Sequence, residues 1–116
     1  MKKVYIETYG CQMNVADTEV IFSILSKHGW ERCESIDEAD VIMANTCSIR
    51  DNAEQRILGR IDQFVLQRQN RPVIIGILGC MAERMKEKLL DSGKVDIVAG
   101  PDSYRRLPEL LEAAAD

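Results

Sequence analysis

Basic charge, closely paired cysteines and long apolar runs are all scarce in this 116-residue chain. Its 15 Lys and Arg residues are outnumbered by 19 Asp and Glu, which gives a net charge of −4. The chain therefore lacks the basic surface that is typical of a domain binding nucleic acid by itself. No apolar run is long enough to cross a bilayer, and Glu7 interrupts the stretch that a secretory leader would need. These absences predict a cytoplasmic protein with no membrane role.

Two common kinds of binding motif are also absent. The sequence contains neither a G-x-G-x-x-G nor a P-loop fingerprint, so it offers no recognisable nucleotide site. Its four cysteines include no close pair of the kind that structural zinc sites use. A chain of this length can bury a core without disulfides. In a reducing compartment, its cysteines are expected to be free thiols, metal ligands or redox groups.

What the sequence does contain is a regular alternation of strand-like and helix-like segments. Repeated β-α units favour a parallel sheet with helices on both faces. We therefore predict one α/β domain, a three-layer, flavodoxin-like open sheet of four to five strands, and we expect its third strand to be the most central. The predicted strands are residues 3–8, 39–46, 72–78 and 95–100. The predicted helices are residues 14–29, 48–70 and 81–93, and residues 102–115 are predicted to form a turn followed by a helix.

The two longest predicted helices have apolar faces and candidate N-caps. Asn14 and Ser48 are residue types that cap helix N-termini. The apolar positions recur at helical spacing. In the first helix they are Val20, Ile21, Ile24 and Leu25, and in the second they are Ile57, Leu58, Ile61, Phe64 and Val65.

Three of the four cysteines occupy equivalent places in this pattern. Cys11, Cys47 and Cys80 each follow one of the first three predicted strands. In a parallel sheet these junctions all lie at the end where ligands bind, so the three thiols are expected to meet there. Thiolates bind iron–sulfur clusters and soft metals, and three ligands would leave one metal position open. Buried thiols without a ligand, or a three-thiolate zinc site, remain alternatives.

The fourth cysteine and the arginines receive simpler interpretations. Cys33 follows the first helix, at the opposite end of the predicted sheet, and is interpreted as a structural or surface thiol. Acidic residues are interleaved with the arginines of the second helix, which favours a solvated helix face. Those arginines are Arg50, Arg56, Arg60 and Arg68.

Residues next to the three cysteines are candidates for shaping the site. Gly10 and Gly79 precede two of the cysteines, and a missing side chain there would let a bulky inorganic group approach the backbone. Nearby polar side chains are candidates for hydrogen bonds that tune a cluster. For Asn14 and Ser48, helix capping is the simpler explanation. The polar candidates are Gln12, Asn14, Asn45 and Ser48.

Four motifs together resemble the amino-terminal domain of the methylthiotransferases, a family of radical S-adenosylmethionine enzymes. They are TYGCQMN (8–14), NTCSIRDNAEQR (45–56), GILGCMAERMKE (76–87) and VDIVAGPDSYRRLPELL (95–111). The resemblance implies that Cys11, Cys47 and Cys80 hold an auxiliary 4Fe–4S cluster. The CSIR segment (47–50) resembles the branch that adds a methylthio group to N6-isopentenyladenosine next to the tRNA anticodon.

The resemblance also implies parts that this sequence lacks. Family members carry a second 4Fe–4S cluster and S-adenosylmethionine in a radical domain, and a carboxyl-terminal RNA-binding domain. Residues 1–116 are therefore expected to be a fragment that is inactive alone, with that radical domain and tRNA as partners. Alternatives are a family member acting on threonylcarbamoyladenosine in tRNA or on a ribosomal-protein aspartate, or a non-enzymatic flavodoxin-like binding module.

Overall fold

A computed structural model describes residues 2–9, 12–46, 53–69 and 72–115. Short 3-10 helices lie at Gln67–Gln69 and Pro101–Arg106. The strands are β1 Lys2–Thr8, β2 Trp30–Arg32, β3 Val41–Thr46, β4 Ile74–Gly79 and β5 Ile97–Ala99. The helices are α1 Gln12–Ser26, α2 Ala53–Leu66, α3 Cys80–Arg84, α4 Lys86–Asp91 and α5 Leu107–Ala115. Across these described ranges, no helix is both long and apolar enough to span a membrane.

All five strands are parallel and lie in the order β2-β1-β3-β4-β5. This order confirms the flavodoxin-like α/β prediction. The central strand is β3, whose six residues are all buried, so the prediction that strand 72–78 is the central one was wrong. The cause is β2, which the sequence pattern did not reveal because only Trp30 of its three residues is apolar and buried. With β2 and β1 on one side and β4 and β5 on the other, β3 is the middle strand of the five.

The helices cover the two faces of the sheet in separate layers. Helices α1 and α5 pack on one face, where Ile21, Leu25 and Leu111 belong to the same apolar cluster as Val4 and Met43. Helices α2, α3 and α4 pack on the other face, and their buried side chains form a second cluster with β3 and β4. The predicted apolar face of the second helix is confirmed, because Ile57, Ile61 and Phe64 are buried and Leu58 and Val65 pack against them.

Three details of the predicted helices were wrong. Helix α1 begins at Gln12, so Asn14 lies inside its first turn and is not the N-cap. Val20 is 52% exposed, because the helix turns Thr18, Ile21 and Leu25 towards the sheet instead. The predicted helix 81–93 is two short helices separated at Met85, whose backbone leaves the helical conformation (φ −104°, ψ 11°).

Candidate functional site

Three neighbouring strands lead to the three predicted ligands. In the sheet, β3 lies between β1 and β4, with Thr8 opposite Asn45 and Thr46 opposite Gly79. Neighbouring strands are about 4.8 Å apart, so these strand ends are close together. Cys47 directly follows β3, Cys80 directly follows β4, and Cys11 comes three residues after β1. The topology therefore brings the three junctions to one end of the sheet, which we call the carboxyl end.

The ligand set itself is only partly covered by the described residues. Gly10, Cys11, Cys47 and Ser48 lie outside the described residues. Cys80 is the first residue of α3, and Gln12 and Asn14 belong to the first turn of α1, each described by its backbone alone. Among the side chains that the structure describes, no group of three or more His, Cys, Asp or Glu could hold a metal ion. The three-cysteine site stays a prediction, and its donor set of three thiols suits an iron–sulfur cluster.

A buried polar network joins the carboxyl end of the sheet to α1. Asn45 is fully buried and its Nδ2 donates a hydrogen bond to Thr18 Oγ1 at 3.0 Å. Thr18 Oγ1 also lies 2.7 Å from Thr8 Oγ1, at hydrogen-bond distance. The network therefore links the ends of β1 and β3 through one side chain of α1. Thr18 was not among the sequence candidates, because a threonine inside a helical pattern gives no signal of such a role.

The ends of β3 and β4 approach each other very closely at Gly79. This glycine has φ +98°, and a Cβ placed on it would lie 2.1 Å from Thr46 O and 2.9 Å from Thr46 N. Thr46 Oγ1 donates a hydrogen bond to Leu78 O at 2.6 Å, which ties the same two strands together. The space beside Gly79 is thus filled by the β3 backbone. The structure gives strand packing as the reason for this glycine, rather than the approach of a ligand.

A second polar cluster lies on the opposite face of the sheet, beneath α2. We call Glu7, Tyr5, Tyr9 and Arg60 the Glu7 cluster. The Glu7 carboxylate accepts hydrogen bonds from Tyr5 Oη at 3.0 Å, from Tyr9 Oη and from Arg60 Nε at 3.0 Å and Nη2. The Arg60 guanidinium also lies 5.1 Å from the centre of the Phe64 ring. The sequence patterns did not predict this cluster, although the alternation of Tyr5, Glu7 and Tyr9 along one strand is a usable signal.

The hydrogen bonds of the Glu7 cluster determine its charges. Desolvation raises the pKa of Glu7, but the hydrogen bonds from Arg60, Tyr9 and Tyr5 outweigh it and lower that pKa below the ordinary value. Burial and the neighbouring Glu7 carboxylate raise the pKa values of Tyr5 and Tyr9 to about 12. Hydrogen bonding to Glu7 raises the pKa of Arg60. At neutral pH the cluster is therefore a carboxylate–guanidinium pair with two protonated phenols.

The prediction of a solvated arginine face was wrong for two of the four residues. Arg60 is paired with Glu7, and Arg68 is paired with Asp96 and donates to Val73 O at 3.2 Å. The acids concerned lie on or beside other strands, so the local alternation of charges in the second helix could not reveal them. The Arg68 pair lies near the start of β4, because Asp96 also accepts from Ile75 N at 2.9 Å.

Cys33 lies at the amino end of the sheet, as predicted. Its backbone N donates to Val4 O at 2.9 Å, and Val4 is opposite Val41, the first residue of β3. The side chain is 8% exposed within the apolar cluster under α2, and its Sγ donates to Ser35 O at 3.4 Å. Burial raises the pKa of this thiol above its ordinary value. A buried, protonated thiol is unreactive, which supports the structural interpretation.

The arrangement of strands and cysteines can be compared with known proteins. A family model described as "Uncharacterized protein family UPF0004" matches residues 3–100, which is most of the chain. The chain belongs to family UPF0004. The match covers all five strands except Lys2, the first residue of β1, and it includes the positions of all four cysteines.

Curated relatives of this UPF0004 chain carry one recurring name, tRNA-2-methylthio-N(6)-dimethylallyladenosine synthase. The protein from Phocaeicola vulgatus is 57% identical over 112 residues, and the one from Bacteroides thetaiotaomicron is 55% identical over 113 residues. These matches cover 95% and 97% of this chain, but only 25% of each relative. A protein of that name from Amoebophilus asiaticus is 56% identical over 95% of the chain and 23% of its own length. The predicted resemblance to the methylthiotransferases is confirmed.

Proposed function

We propose that this chain holds an auxiliary 4Fe–4S cluster through Cys11, Cys47 and Cys80, as part of a tRNA methylthiotransferase. The observation that carries the proposal is topological: the three cysteines follow three adjacent parallel strands, β1, β3 and β4. A site at the carboxyl end of such a sheet is where α/β proteins place their ligands. When bound, the cluster would supply the sulfur that is transferred to the substrate.

The residues around the strand ends have a clear task in this proposal. A three-cysteine site needs strand ends that stay in register, because each ligand is supplied by a different crossover. Thr18 and Asn45 hold the ends of β1 and β3 together, and Gly79 lets the ends of β3 and β4 close up. These contacts support a preformed site rather than three independent thiols.

The proposed substrate is N6-isopentenyladenosine next to the tRNA anticodon, which receives a methylthio group at position 2. The printed names of the relatives support this choice. The net charge of −4 favours RNA contacts made mainly by other parts of a longer enzyme, where S-adenosylmethionine and a second 4Fe–4S cluster would also bind.

Anaerobic reconstitution with iron and sulfide tests the cluster. We expect about four iron atoms per chain and a visible thiolate-to-iron absorption band. Replacing Cys11, Cys47 or Cys80 by Ala should each lower the iron content sharply, and the triple replacement should abolish it. Electron paramagnetic resonance of the reduced protein should report a single type of cluster.

The chain contains its own matched control in the fourth cysteine. Cys33→Ala removes a buried thiol at the other end of the sheet, and we expect it to keep the full iron content. If the triple replacement still bound a cluster, or if Cys33→Ala lost it, the ligand assignment would be wrong. If the wild-type chain bound no cluster at all, the proposed function would fail.

The substrate is tested separately in a longer enzyme. Residues 1–116 would replace the matching segment of the Phocaeicola vulgatus relative, and the chimera would be assayed by mass spectrometry of tRNA nucleosides. We expect 2-methylthio-N6-isopentenyladenosine. If the chimera instead methylthiolated threonylcarbamoyladenosine or a ribosomal-protein aspartate, the proposed substrate would be wrong and the chain would belong to another branch of the family. A chimera carrying Cys47→Ala serves as the inactive control.

A further inference from the structure

We propose that Glu7 and Arg60, assisted by Tyr5 and Tyr9, are positioning residues that hold the Cys11 crossover against the Cys47 crossover. This inference rests on the proposed function, because it gives a role to groups on β1 and α2, the two elements next to the proposed ligand segments. Neither the cysteine pattern nor the chain's apolar periodicity assigns these four side chains any role.

The Glu7–Arg60 pair joins the strand before Cys11 to the helix after Cys47. Glu7 is the second-last residue of β1, the strand that leads to Cys11. Arg60 lies on α2, the helix that follows the segment containing Cys47. The Glu7–Arg60 pair therefore connects the chain entering one crossover to the chain leaving the other, across 53 residues of sequence.

The Glu7 carboxylate is held by hydrogen bonds at both of its oxygens. Arg60 donates from both Nε and Nη2, one to each carboxylate oxygen, and this bidentate arrangement fixes orientation as well as distance. Tyr9 and Tyr5 donate to the same two oxygens, so the carboxylate is held from both strand and helix. The Glu7 side chain is only 12% exposed, whereas both partners in the Lys94–Asp62 pair are about half exposed or more. The Arg60 side chain is 37% exposed, so the pair is part-buried, and its bidentate geometry constrains the surroundings more than a surface pair does.

Tyr9 connects the end of β1 both to β3 and to the Glu7 cluster. Tyr9 extends the strand pairing beyond β1, since its backbone N donates to Asn45 O at 2.8 Å. Its phenol is bound to Glu7 on the α2 face, while Thr8 is bound to Thr18 on the α1 face. The last described residues before Cys11 are thus held on both faces of the sheet. Outer-shell groups that hydrogen-bond metal ligands commonly cost about 10–100-fold in metal affinity when they are removed, and groups that orient the ligand-bearing segments are expected to act in the same direction.

Dipolar electron paramagnetic resonance tests this role directly and needs no cluster. Cys33 and Cys80 would be replaced by Ala, and spin labels would be attached to Cys11 and Cys47. We expect a narrow distance distribution in this background and a broad one once Glu7→Gln is added. Tyr9→Phe removes a single hydrogen bond and should broaden it less, and it remains usable if Glu7→Gln does not fold.

Asp96→Asn is the matched control, because Asp96 pairs with Arg68 at the other end of the sheet. It makes the same acid-to-amide change in an arginine pair, and we expect it to leave the distribution unchanged. An unchanged distribution in folded Glu7→Gln and Tyr9→Phe would overturn the proposal. Equal broadening by Asp96→Asn would also overturn it, because the effect would then reflect general loss of stability.

Cluster reconstitution separates this inference from the proposed function. In the otherwise unaltered chain, Glu7→Gln should weaken cluster binding about tenfold and shift its reduction potential, and Asp96→Asn should do neither. If the wild-type chain binds no cluster, the proposed function fails, and the spin-label distances still decide whether Glu7 positions the two crossovers. If the wild-type chain and Glu7→Gln bind clusters of equal affinity and potential, the positioning role fails while the proposed function stands.

Discussion

Among the described glycines other than Gly100, replacing Gly79 by Ala should destabilise this protein the most. Gly100 is left out of the comparison because the atoms nearest to its Cβ position belong to the Glu83 side chain, which can move. Gly79 has φ +98°, a conformation that costs an L-residue about 1–2 kcal/mol. The added Cβ would also lie 2.1 Å from Thr46 O, which belongs to the backbone of the central strand and cannot rotate away. Relieving such an overlap typically costs about 1–3 kcal/mol.

The two contributions together predict a loss of about 2–5 kcal/mol in the free energy of unfolding. Domains of this size are stable by about 5–15 kcal/mol, so the variant should fold but lose a large part of its stability. At about 4 °C per kcal/mol, the melting temperature should fall by roughly 8–20 °C. Urea unfolding followed by circular dichroism measures the free energy directly.

Two other glycines provide matched controls for the same substitution. Gly93 has φ +74°, but nothing lies within 4 Å of its Cβ position, so Gly93→Ala should cost only the conformational part, about 1–2 kcal/mol. Gly59 lies inside α2, has open space at its Cβ position and no positive φ. Gly59→Ala should therefore stabilise the protein by about 1 kcal/mol.

The ranking of the three variants by free energy of unfolding tests this explanation. If Gly79→Ala lost no more stability than Gly93→Ala, the close contact between the ends of β3 and β4 would be wrong. If all three variants behaved alike, neither backbone conformation nor space would govern these positions.

Three further predictions concern the polar networks and the core. Thr18→Val removes the hydroxyl that accepts from Asn45 and should cost about 1–3 kcal/mol, whereas Thr18→Ser should keep most of the stability; urea unfolding compares them. Because the pKa of Glu7 is lowered in the folded protein, its stabilisation should be complete above the ordinary carboxyl pKa and should disappear as the pH falls through the lowered value. The stability gap between wild type and Glu7→Gln should therefore shrink in acid, and a constant gap would contradict the pairing. Phe64→Ala should cost about 3–5 kcal/mol, whereas Leu66→Ala, on the exposed side of α2, should cost far less in the same assay.

Local sequence patterns predicted the layers of this fold well, because burial imposes a period on each element. The helical spacing of Ile57, Ile61 and Phe64 correctly indicated the buried face of α2. The continuous apolar run of β3 correctly indicated a strand buried on both faces. The sequence pattern did not predict β2, because a short strand at the edge of a sheet buries too few side chains to require an apolar pattern.

The candidate site was predictable only as far as its residue types and their place in the topology. Cysteines after the neighbouring strands β1, β3 and β4 predict its location, since parallel strands share one carboxyl end. The supporting contacts were not predictable, because each joins residues far apart in the sequence. Glu7 meets Arg60, and Asn45 meets Thr18, only after the helices have packed on the sheet.

The sequence by itself determined the alternation of strands and helices, the family, and the three cysteines that follow β1, β3 and β4. The tertiary structure alone decided which strand is central, why residue 79 must be glycine, and that Arg60 is paired with Glu7 rather than solvated. The physical reason is the range of the interactions. Periodicity and capping act within one element, whereas strand order, backbone overlap and ion pairs between elements depend on which elements become neighbours.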